Sequence, residues 1–376
     1  MRKIGIIGAT GSIGSQAIDI IEREKENFQV IFLTAHRQID DLIKKGKRVN
    51  AKYLVLTSEN FFKDKVLTGV NELLKIIENE EIDIVLSAAV GFSGLIPTYC
   101  ALKRGIDIAL ANKESMVAAG RLLNETAKRN GAKIIPVDSE HSAIYQCLLG
   151  HDINYLEKII LTASGGPFRN RPIDSFEFIS VDEALNHPNW SMGRKITVDS
   201  ATMMNKGLEL IEARFLFNVG YDKLDVVIHP ESIIHSFVAF CDGSYLAQMG
   251  IPDMKIPISY AISYPERVKL DIPRLNFFEL KKLSFIRPDF ERYPCLRIAM
   301  EALKVDKNSI YIALNASNEI AVGAFLNEVI GFNEIPKIIE RTVEDFIVKD
   351  VMDIEEIINM DKLARERSSK LVSKLI

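Results

Sequence analysis

The first twenty-two residues constrain the fold more than any other stretch. Lys3-Ile4-Gly5-Ile6-Ile7 is an apolar run that passes at once into Gly8-Ala9-Thr10-Gly11-Ser12-Ile13-Gly14, and a helical pattern through Ile18, Ile21 and Glu22 follows. Strand, glycine turn and helix in that order open a βαβ unit. The spacing is G-x-x-G-x-x-G rather than G-x-G-x-x-G, but the physics is shared: small residues let backbone N–H groups approach a pyrophosphate at a helix N-terminus. Such a turn also joins strands to helices with no ligand present, so alone it is a weak signal.

The alternation continues. Val30 to Thr34, Tyr53 to Leu56, Ile82 to Ser87, Ile106 to Leu110 and Lys133 to Val137 read as strands, separated by helical patterns such as Leu95 to Arg104 and Ser115 to Asn130. This predicts a parallel sheet covered on both faces, with ligands at the carboxyl ends of its strands. Ala35-His36-Arg37-Gln38 follows the second strand, where an NAD-binding protein usually places an acid for the ribose 2'-hydroxyl. A cation there suits a 2'-phosphate and favours NADPH over NADH, though a surface arginine needs no such reason.

A chain of 376 residues, 47% hydrophobic and 26% charged, has room for two or three domains with substantial cores. Its net charge of -4, with no block of five like charges, argues against a nucleic-acid partner. Cys100, Cys147, Cys241 and Cys295 are widely spaced and form no Cys-x-x-Cys pair, so reduced cytosolic thiols are expected rather than a disulfide framework or a structural zinc site. A strand starting at Lys3 leaves no room for a signal peptide, and no charge-free apolar run approaches about 18 residues. A cytoplasmic protein without a membrane partner is expected.

Chemistry concentrates at two strand ends. In an extended strand residues i and i+2 share a side, so Asp138 and Glu140 would project together from Ile134-Ile135-Pro136-Val137. At an effective dielectric of about 20, two such charges ~4 Å apart repel by roughly 4 kcal/mol, so they need a shared proton or a divalent cation. Alternatively they cap a helix starting near Ser142. Asn112-Lys113-Glu114 follows the strand ending at Leu110. Lys113 opens a predicted helix, where its charge opposes the macrodipole unless an anion or substrate compensates it; a solvated lysine is the alternative.

Glu157 to Ala163 gives a further strand, ending in Ser164-Gly165-Gly166-Pro167. The long stretch that follows carries one short helical piece, Ser180 to Leu185, with Ser180 and Glu183 spaced as a capping box. It ends in His187-Pro188-Asn189-Trp190-Ser191-Met192-Gly193-Arg194, which reads as a lid over a ligand, or as Trp190 packing on the domain body. Asp199 through Glu209 to Phe217 reads as one helix with Ser200 near its start. Asn205 and Glu209 are i,i+4 and Lys206 and Glu209 are i,i+3, so all three share one face. Exposed, they would make a surface ion pair of about 1 kcal/mol at most. Flanked by Met203, Met204, Leu208 and Leu210, the helix reads as buried, and a buried polar face serves a ligand. Asp138, Glu140 and Glu209 offer three oxygens to a hard divalent cation, and Ser164, Ser200, Asn205 and Lys206 offer donors suited to a phosphate. With NADPH at the glycine turn, the picture is a metal-assisted reductase of a phosphorylated small molecule.

Gly8-Ala-Thr-Gly-Ser-Ile-Gly14, Leu110-Ala-Asn-Lys-Glu-Ser115, Pro136-Val-Asp-Ser-Glu-His141, Ser164-Gly-Gly-Pro-Phe168, His187-Pro-Asn-Trp-Ser-Met-Gly193 and Asp199-Ser-Ala-Thr-Met-Met-Asn-Lys-Gly-Leu-Glu209 closely resemble the 1-deoxy-D-xylulose 5-phosphate reductoisomerase family. The likeness covers nearly the whole chain. It implies an α/β protein: an N-terminal Rossmann-like doubly wound NADPH domain (1–147), a central α+β catalytic and dimerisation domain (148–285, lid about 164–194) and a C-terminal α-helical domain (286–376). It gives Thr10, Gly11, Ser12 and Ile13 to the cofactor pyrophosphate, Arg37 and Gln38 to its 2'-phosphate end, and Asn112, Glu114 and Gly193 also to NADPH. Asp138, Glu140 and Glu209 match the ligands of Mg2+ or Mn2+. Lys113, Ser139, Ser164, His187, Ser200, Asn205 and Lys206, with Glu140 and Glu209, match substrate contacts, and Trp190 and Met192 match lid residues over the substrate. Asp138, Glu140, Glu209, Lys113 and His187 form the implied catalytic set. Ala35-His36-Arg37-Gln38 departs from the family pattern, in which many members carry a glycine before the basic residue. The implied reaction is the metal-held rearrangement of 1-deoxy-D-xylulose 5-phosphate to a branched aldehyde and its reduction by NADPH to 2-C-methyl-D-erythritol 4-phosphate, in non-mevalonate isoprenoid precursor biosynthesis.

Ile233 to Cys241, Asp242-Gly243 and Ser244 to Met249 read as a β-hairpin with a two-residue turn, paired across a homodimer or within its own sheet. Leu296 to Leu303, Ile310 to Val329, Ile335 to Phe346 and Leu363 to Leu375 read as helices. His229 and His235, without a third ligand nearby, read as structural. Two other functions compete: a semialdehyde-type dehydrogenase, which needs a catalytic cysteine, and a non-catalytic NADPH sensor, which has no use for Asp138, Glu140 and Glu209.

Overall fold

The computed structural model describes residues 1–58, 66–188, 190 and 192–375. They form two compact units: Met1–Ser115, Leu123–Ser142 and Asp253–Ile272 in the first, and Met116–Leu122, Ala143–Pro252 and the chain from Pro273 onward in the second. The expected boundaries after 147 and 285 do not coincide with these edges.

In chain order the first elements are β1 (Arg2–Ile7), α1 (Ser12–Arg23), β2 (Phe28–Ala35), α2 (Ile39–Arg48), β3 (Tyr53–Leu56), β4 (Leu67–Thr68), α3 (Val70–Asn79), β5 (Ile84–Ser87), α4 (Leu95–Lys103), β6 (Asp107–Leu110), α5 (Lys113–Asn130), β7 (Ile134–Pro136) and α6 (Ser139–Leu148). The strands join in one parallel sheet of order β4-β3-β2-β1-β5-β6-β7. Strand order reverses between β1 and β5, the switch point at which doubly wound sheets open a crevice. Ile4, Ile6, Leu33, Ile84, Leu86, Ala109 and Ile135 fill its core. Near-continuous apolar runs of this kind are what a sheet buried on both faces requires.

β7 stops at Pro136 and α6 starts at Ser139, so the extended reading of Asp138 and Glu140 is corrected: both lie at a helix N-terminus. The Asp138 carbonyl accepts the Ser142 N–H at 2.8 Å and its Oδ1 accepts the Glu140 N–H at 3.4 Å, and aspartate is a preferred residue immediately before a helix. Capping therefore occurs, but three residues before Ser142.

β8 (Leu156–Ala163), α7 (Val181–Leu185), α8 (Arg194–Ala201), α9 (Met204–Leu216), β9 (Leu224–Ile228), β10 (Ile234–Phe240) and β11 (Tyr245–Met249) follow, then α10 (Lys255–Ser263), α11 (Pro294–Val305), α12 (Asn308–Leu326), α13 (Glu334–Glu344) and α14 (Ile354–Ser373). In the second unit β11-β10-β8-β9 is a mixed sheet, with β8 and β9 parallel and the other pairs antiparallel. α10 belongs to the first unit, where Ile258, Ala261 and Ile262 enter the core and the Arg2 guanidinium donates to the Tyr264 carbonyl at 2.7 Å.

Two local expectations change. The single helix expected from Asp199 breaks into α8 and α9 at Met203, which is left-handed at φ 59°. The Thr202 hydroxyl stabilises the break by donating to the Val198 and Asp199 carbonyls and accepting the Met204 N–H. Ser200 thus ends one helix instead of starting another. The β10–β11 hairpin closes with Ala239 opposite Tyr245 and the Phe240 N–H on the Ser244 carbonyl. Its turn is the three residues Cys241-Asp242-Gly243 rather than two, with left-handed Gly243 in the bulge position.

Candidate active site

The turn that follows β1 in the first unit is shaped by backbone. Gly8 follows β1 at φ +82°, and a Cβ there would lie 2.5 Å from the Ala88 carbonyl oxygen. At Gly14 a Cβ would lie 2.4 Å from the Gly8 oxygen, so the first turn of α1 seats against the glycine turn only because Gly14 has none. The Gly8 N–H and Ala9 N–H are fixed by the Thr34 hydroxyl (3.0 Å) and carbonyl (2.7 Å) of β2. Gly11 is the N-cap of α1, without a side-chain cap and with no acid in the first turn. Thr10, Gly11, Ser12 and Ile13 therefore surround helix N–H groups that an anion can take. Arg37 and Gln38 stand exposed just beyond β2, and Gln38 precedes α2.

At the ends of β6 and β7 side chains take over. Asn112 is fully buried. Its Oδ1 accepts the Ser115 N–H at 3.2 Å, and its Nδ2 donates to the Ala89 and Gly91 carbonyls (2.7 and 2.8 Å) and to Glu114 Oε2 (3.1 Å). Its side chain is thus spent on tying two strand-end turns together. Lys113 Nζ pairs with Asp138 Oδ2 at 2.8 Å, with side chains only 6% and 14% exposed. That carboxylate is the anion the helix-opening lysine requires. The Ser139 hydroxyl donates to Glu140.

In the second unit β8 delivers Ser164 into a turn of two left-handed glycines, Gly165 at φ +79° and Gly166 at φ +66°. Ser164 Oγ accepts the Gly166 N–H at 3.2 Å and meets His187 Nε2 at 3.1 Å. His187 Nδ1 accepts the Trp190 backbone N–H at 3.0 Å, which leaves the ring proton on Nε2, directed at Ser164. Burial, with a smaller push from Arg169, lowers the His187 pKa from 6.5 to about 4, so the imidazole is neutral at pH 7. On α9, Asn205 Nδ2 and Lys206 Nζ both donate to Glu209, and Lys206 and Glu209 are buried at 3% and 1% exposure. The expected common face is therefore real, with its ammonium and carboxylate buried and its amide half-buried. Ser200 lies half-buried on α8.

Trp190 and Met192 are half-buried, the indole edge-on to His235 at 6.4 Å, and Gly193 precedes α8; Asn189 and Ser191 lie outside the described residues. Much of the expected lid is anchored: Phe168, Phe176 and Ile179 are buried, and the Ser180–Glu183 capping box forms. His229 Nδ1 donates to the Ser284 carbonyl at 2.9 Å while its Nε2 accepts the Ile233 N–H at 3.2 Å, a structural role. Cys241 sits exposed in the hairpin turn, away from any helix start. Sequence reasoning missed Arg169, Arg292 and Tyr293, whose contacts with the Ser164 turn have no local signature. Among the described residues no helix is long and apolar enough to cross a membrane.

The strand order, the glycine cradle at its switch point and the dry acid and amine groups define a Rossmann-type dinucleotide-dependent oxidoreductase. Family models described as 1-deoxy-D-xylulose 5-phosphate reductoisomerase (residues 4–120), its C-terminal domain (134–217) and DXP reductoisomerase C-terminal domain (249–367) match the chain. The 1-deoxy-D-xylulose 5-phosphate reductoisomerase of Clostridium tetani is 47% identical, covering 97% of this chain and 98% of its own, and that of Proteus mirabilis is 43% identical over the whole of both. The Zymomonas mobilis enzyme in complex with NADPH superposes at TM-score 0.92 with 40% identity over 99% of each chain. A DOX-P reductoisomerase in complex with NADPH, fosmidomycin and magnesium superposes at 0.93, with 40% identity over 100% of this chain and 99% of that one. The chain belongs to the 1-deoxy-D-xylulose 5-phosphate reductoisomerase family.

Proposed function

We propose that this chain converts 1-deoxy-D-xylulose 5-phosphate to 2-C-methyl-D-erythritol 4-phosphate with NADPH and a divalent cation. The observation that carries the reading is the Asn205–Lys206–Glu209 face of α9, where a half-buried amide stands beside an ammonium and a carboxylate withheld from water. The groups the family's relatives bind fit this chain: a dinucleotide phosphate suits the N–H groups of a turn so close-packed that a Cβ at Gly8 or Gly14 would strike its neighbouring backbone, and a hard cation suits an all-carboxylate donor set. We assign one carboxylate oxygen each from Asp138, Glu140 and Glu209 to a single cation. When bound, the cation supplies Lewis acidity at the carbonyl and hydroxyl oxygens of the substrate, and NADPH supplies hydride.

The chain's own groups do the rest. Ser164, Ser200, Asn205 and Lys206 orient the substrate phosphate through charge-assisted hydrogen bonds. Neutral His187 aims Ser164 and also contacts substrate. The Lys113 ammonium pairs with Asp138, and both it and Ser139 face the substrate oxygens. Trp190 and Met192 exclude water. Thr10, Gly11, Ser12 and Ile13 hold the pyrophosphate, Arg37 and Gln38 the 2'-phosphate, and Asn112, Glu114 and Gly193 line the NADPH site. Exposed Tyr245 on edge strand β11, with Phe277 and Phe278 exposed in the same unit, supports a homodimer, and four free cysteines suit the cytoplasm.

The test is NADPH oxidation on adding 1-deoxy-D-xylulose 5-phosphate, with Mg2+ or Mn2+ and with a chelator. Turnover only in the presence of the cation is expected. Full activity in chelator would contradict the assignment.

A further inference from the structure

The Ser164 turn is held from a distant part of the second unit. Tyr293, 1% exposed, donates its hydroxyl to the Gly165 carbonyl at 2.8 Å. Next to it, Arg292 Nη1 donates to the Phe168 carbonyl at 2.9 Å and to the Arg171 carbonyl. Both residues lie immediately before α11, and the Tyr293 N–H is fixed on the Asp289 carbonyl at 3.0 Å. Burial pushes the phenol up to about 12, so the hydroxyl is a permanent donor at neutral pH.

The turn needs such a partner. Two successive left-handed residues leave the Gly165 carbonyl pointing away from any regular ladder, and a buried carbonyl without a donor is costly. There is little slack: a Cβ on Gly165 would come within 2.9 Å of Ile228, and one on Gly166 within 2.7 Å of the Ser200 carbonyl oxygen. The turn is therefore wedged between β9 and the end of α8. Its rotation moves the Ser164 hydroxyl relative to Ser200 and His187 together.

We propose that Tyr293 is a positioning residue for the substrate-phosphate site: its hydroxyl holds the Gly165 carbonyl and so fixes the left-handed turn that presents Ser164. The proposal rests on the assignment of Ser164 and Ser200 to the substrate phosphate. Arg292 secures the far side of the same turn through Phe168 and Arg171.

Tyr293→Phe keeps the ring and removes only the donor. The expected result is a KM for 1-deoxy-D-xylulose 5-phosphate raised about tenfold, with kcat within about threefold of wild type and NADPH affinity unchanged. A role in stability alone would lower the active fraction, and hence apparent kcat, without moving KM. Tyr311→Phe is the control, since it deletes an equally buried hydroxyl that donates to Asp306, outside this turn; it should leave KM unaltered. Arg292→Lys supplies a second reading, with KM raised severalfold, if Tyr293→Phe does not fold. An active wild type with unchanged KM in the folded variant overturns the proposal. A wild type that does not oxidise NADPH with this substrate overturns the underlying function instead.

Discussion

The two regions we assign to ligands are made of opposite materials. In the first unit the glycine turn is defined by what is missing: no Cβ at Gly8 or Gly14, no side-chain cap on α1 and no acid in its first turn. In the second unit α9 is defined by what is present, with Lys206 and Asn205 locked on a Glu209 carboxylate that is 1% exposed. Backbone sites tolerate no added atoms, whereas side-chain sites tolerate no lost charge. Substitutions in the two regions should therefore fail in separable ways.

The largest effect should come from Glu209→Gln. Removing one charge from the set leaves Lys206 buried with a neutral partner and weakens the cation site. The rate in saturating Mg2+ should fall by about a thousandfold or more, while fluorescence titration finds NADPH binding within about twofold of wild type. Parallel loss of both would break the contrast.

Gly14→Ala is the mirror experiment. A Cβ 2.4 Å from the Gly8 oxygen and 2.6 Å from the Ala9 Cα must displace the turn. NADPH affinity should fall by about a hundredfold, with kcat at saturating NADPH changed much less. Unchanged NADPH affinity would refute a backbone-made site. Smaller again, Arg37→Ser should lower the preference for NADPH over NADH by about tenfold in kcat/KM, because the ionic contact we assign to the 2'-phosphate would be lost with the turn intact.

How legible these regions were follows from how local they are. The i,i+4 and i,i+3 spacing of Asn205, Lys206 and Glu209 encodes their meeting on α9, and the capping box at Ser180 and Glu183 needs only four residues. Strand ends and the glycine turn were readable for the same reason. The break at Met203 was not, because a left-handed methionine opposes its own propensity and is held by the Thr202 hydroxyl. Nor was the return of α10 to the first unit, since Ile258 and Ile262 look equally apolar whichever core receives them. The Lys113–Asp138 pair spans the adjacent ends of β6 and β7, so it was posed by the sequence as an unbalanced charge and answered only by the strand order.

The smallest expected effect is on protonation. The folded pKa of His187, about 4, lies below its ordinary 6.5, so the unfolded chain binds the extra proton first as pH falls. The stability contributed by neutral His187 is complete above about 6.5 and is lost as pH falls toward about 4. An NMR titration should find its ring neutral through pH 5 with Nε2 protonated. Titration near 6.5 would remove the neutral donor from the side-chain site.

The division of labour is tested most directly by Mn2+ binding, read by electron paramagnetic resonance with NADPH bound, in wild type, Asp138→Asn and Glu209→Gln. One bound ion in wild type and weakened binding in each variant, with NADPH still held, is the predicted result. Mn2+ binding that survives both substitutions undiminished would contradict the account.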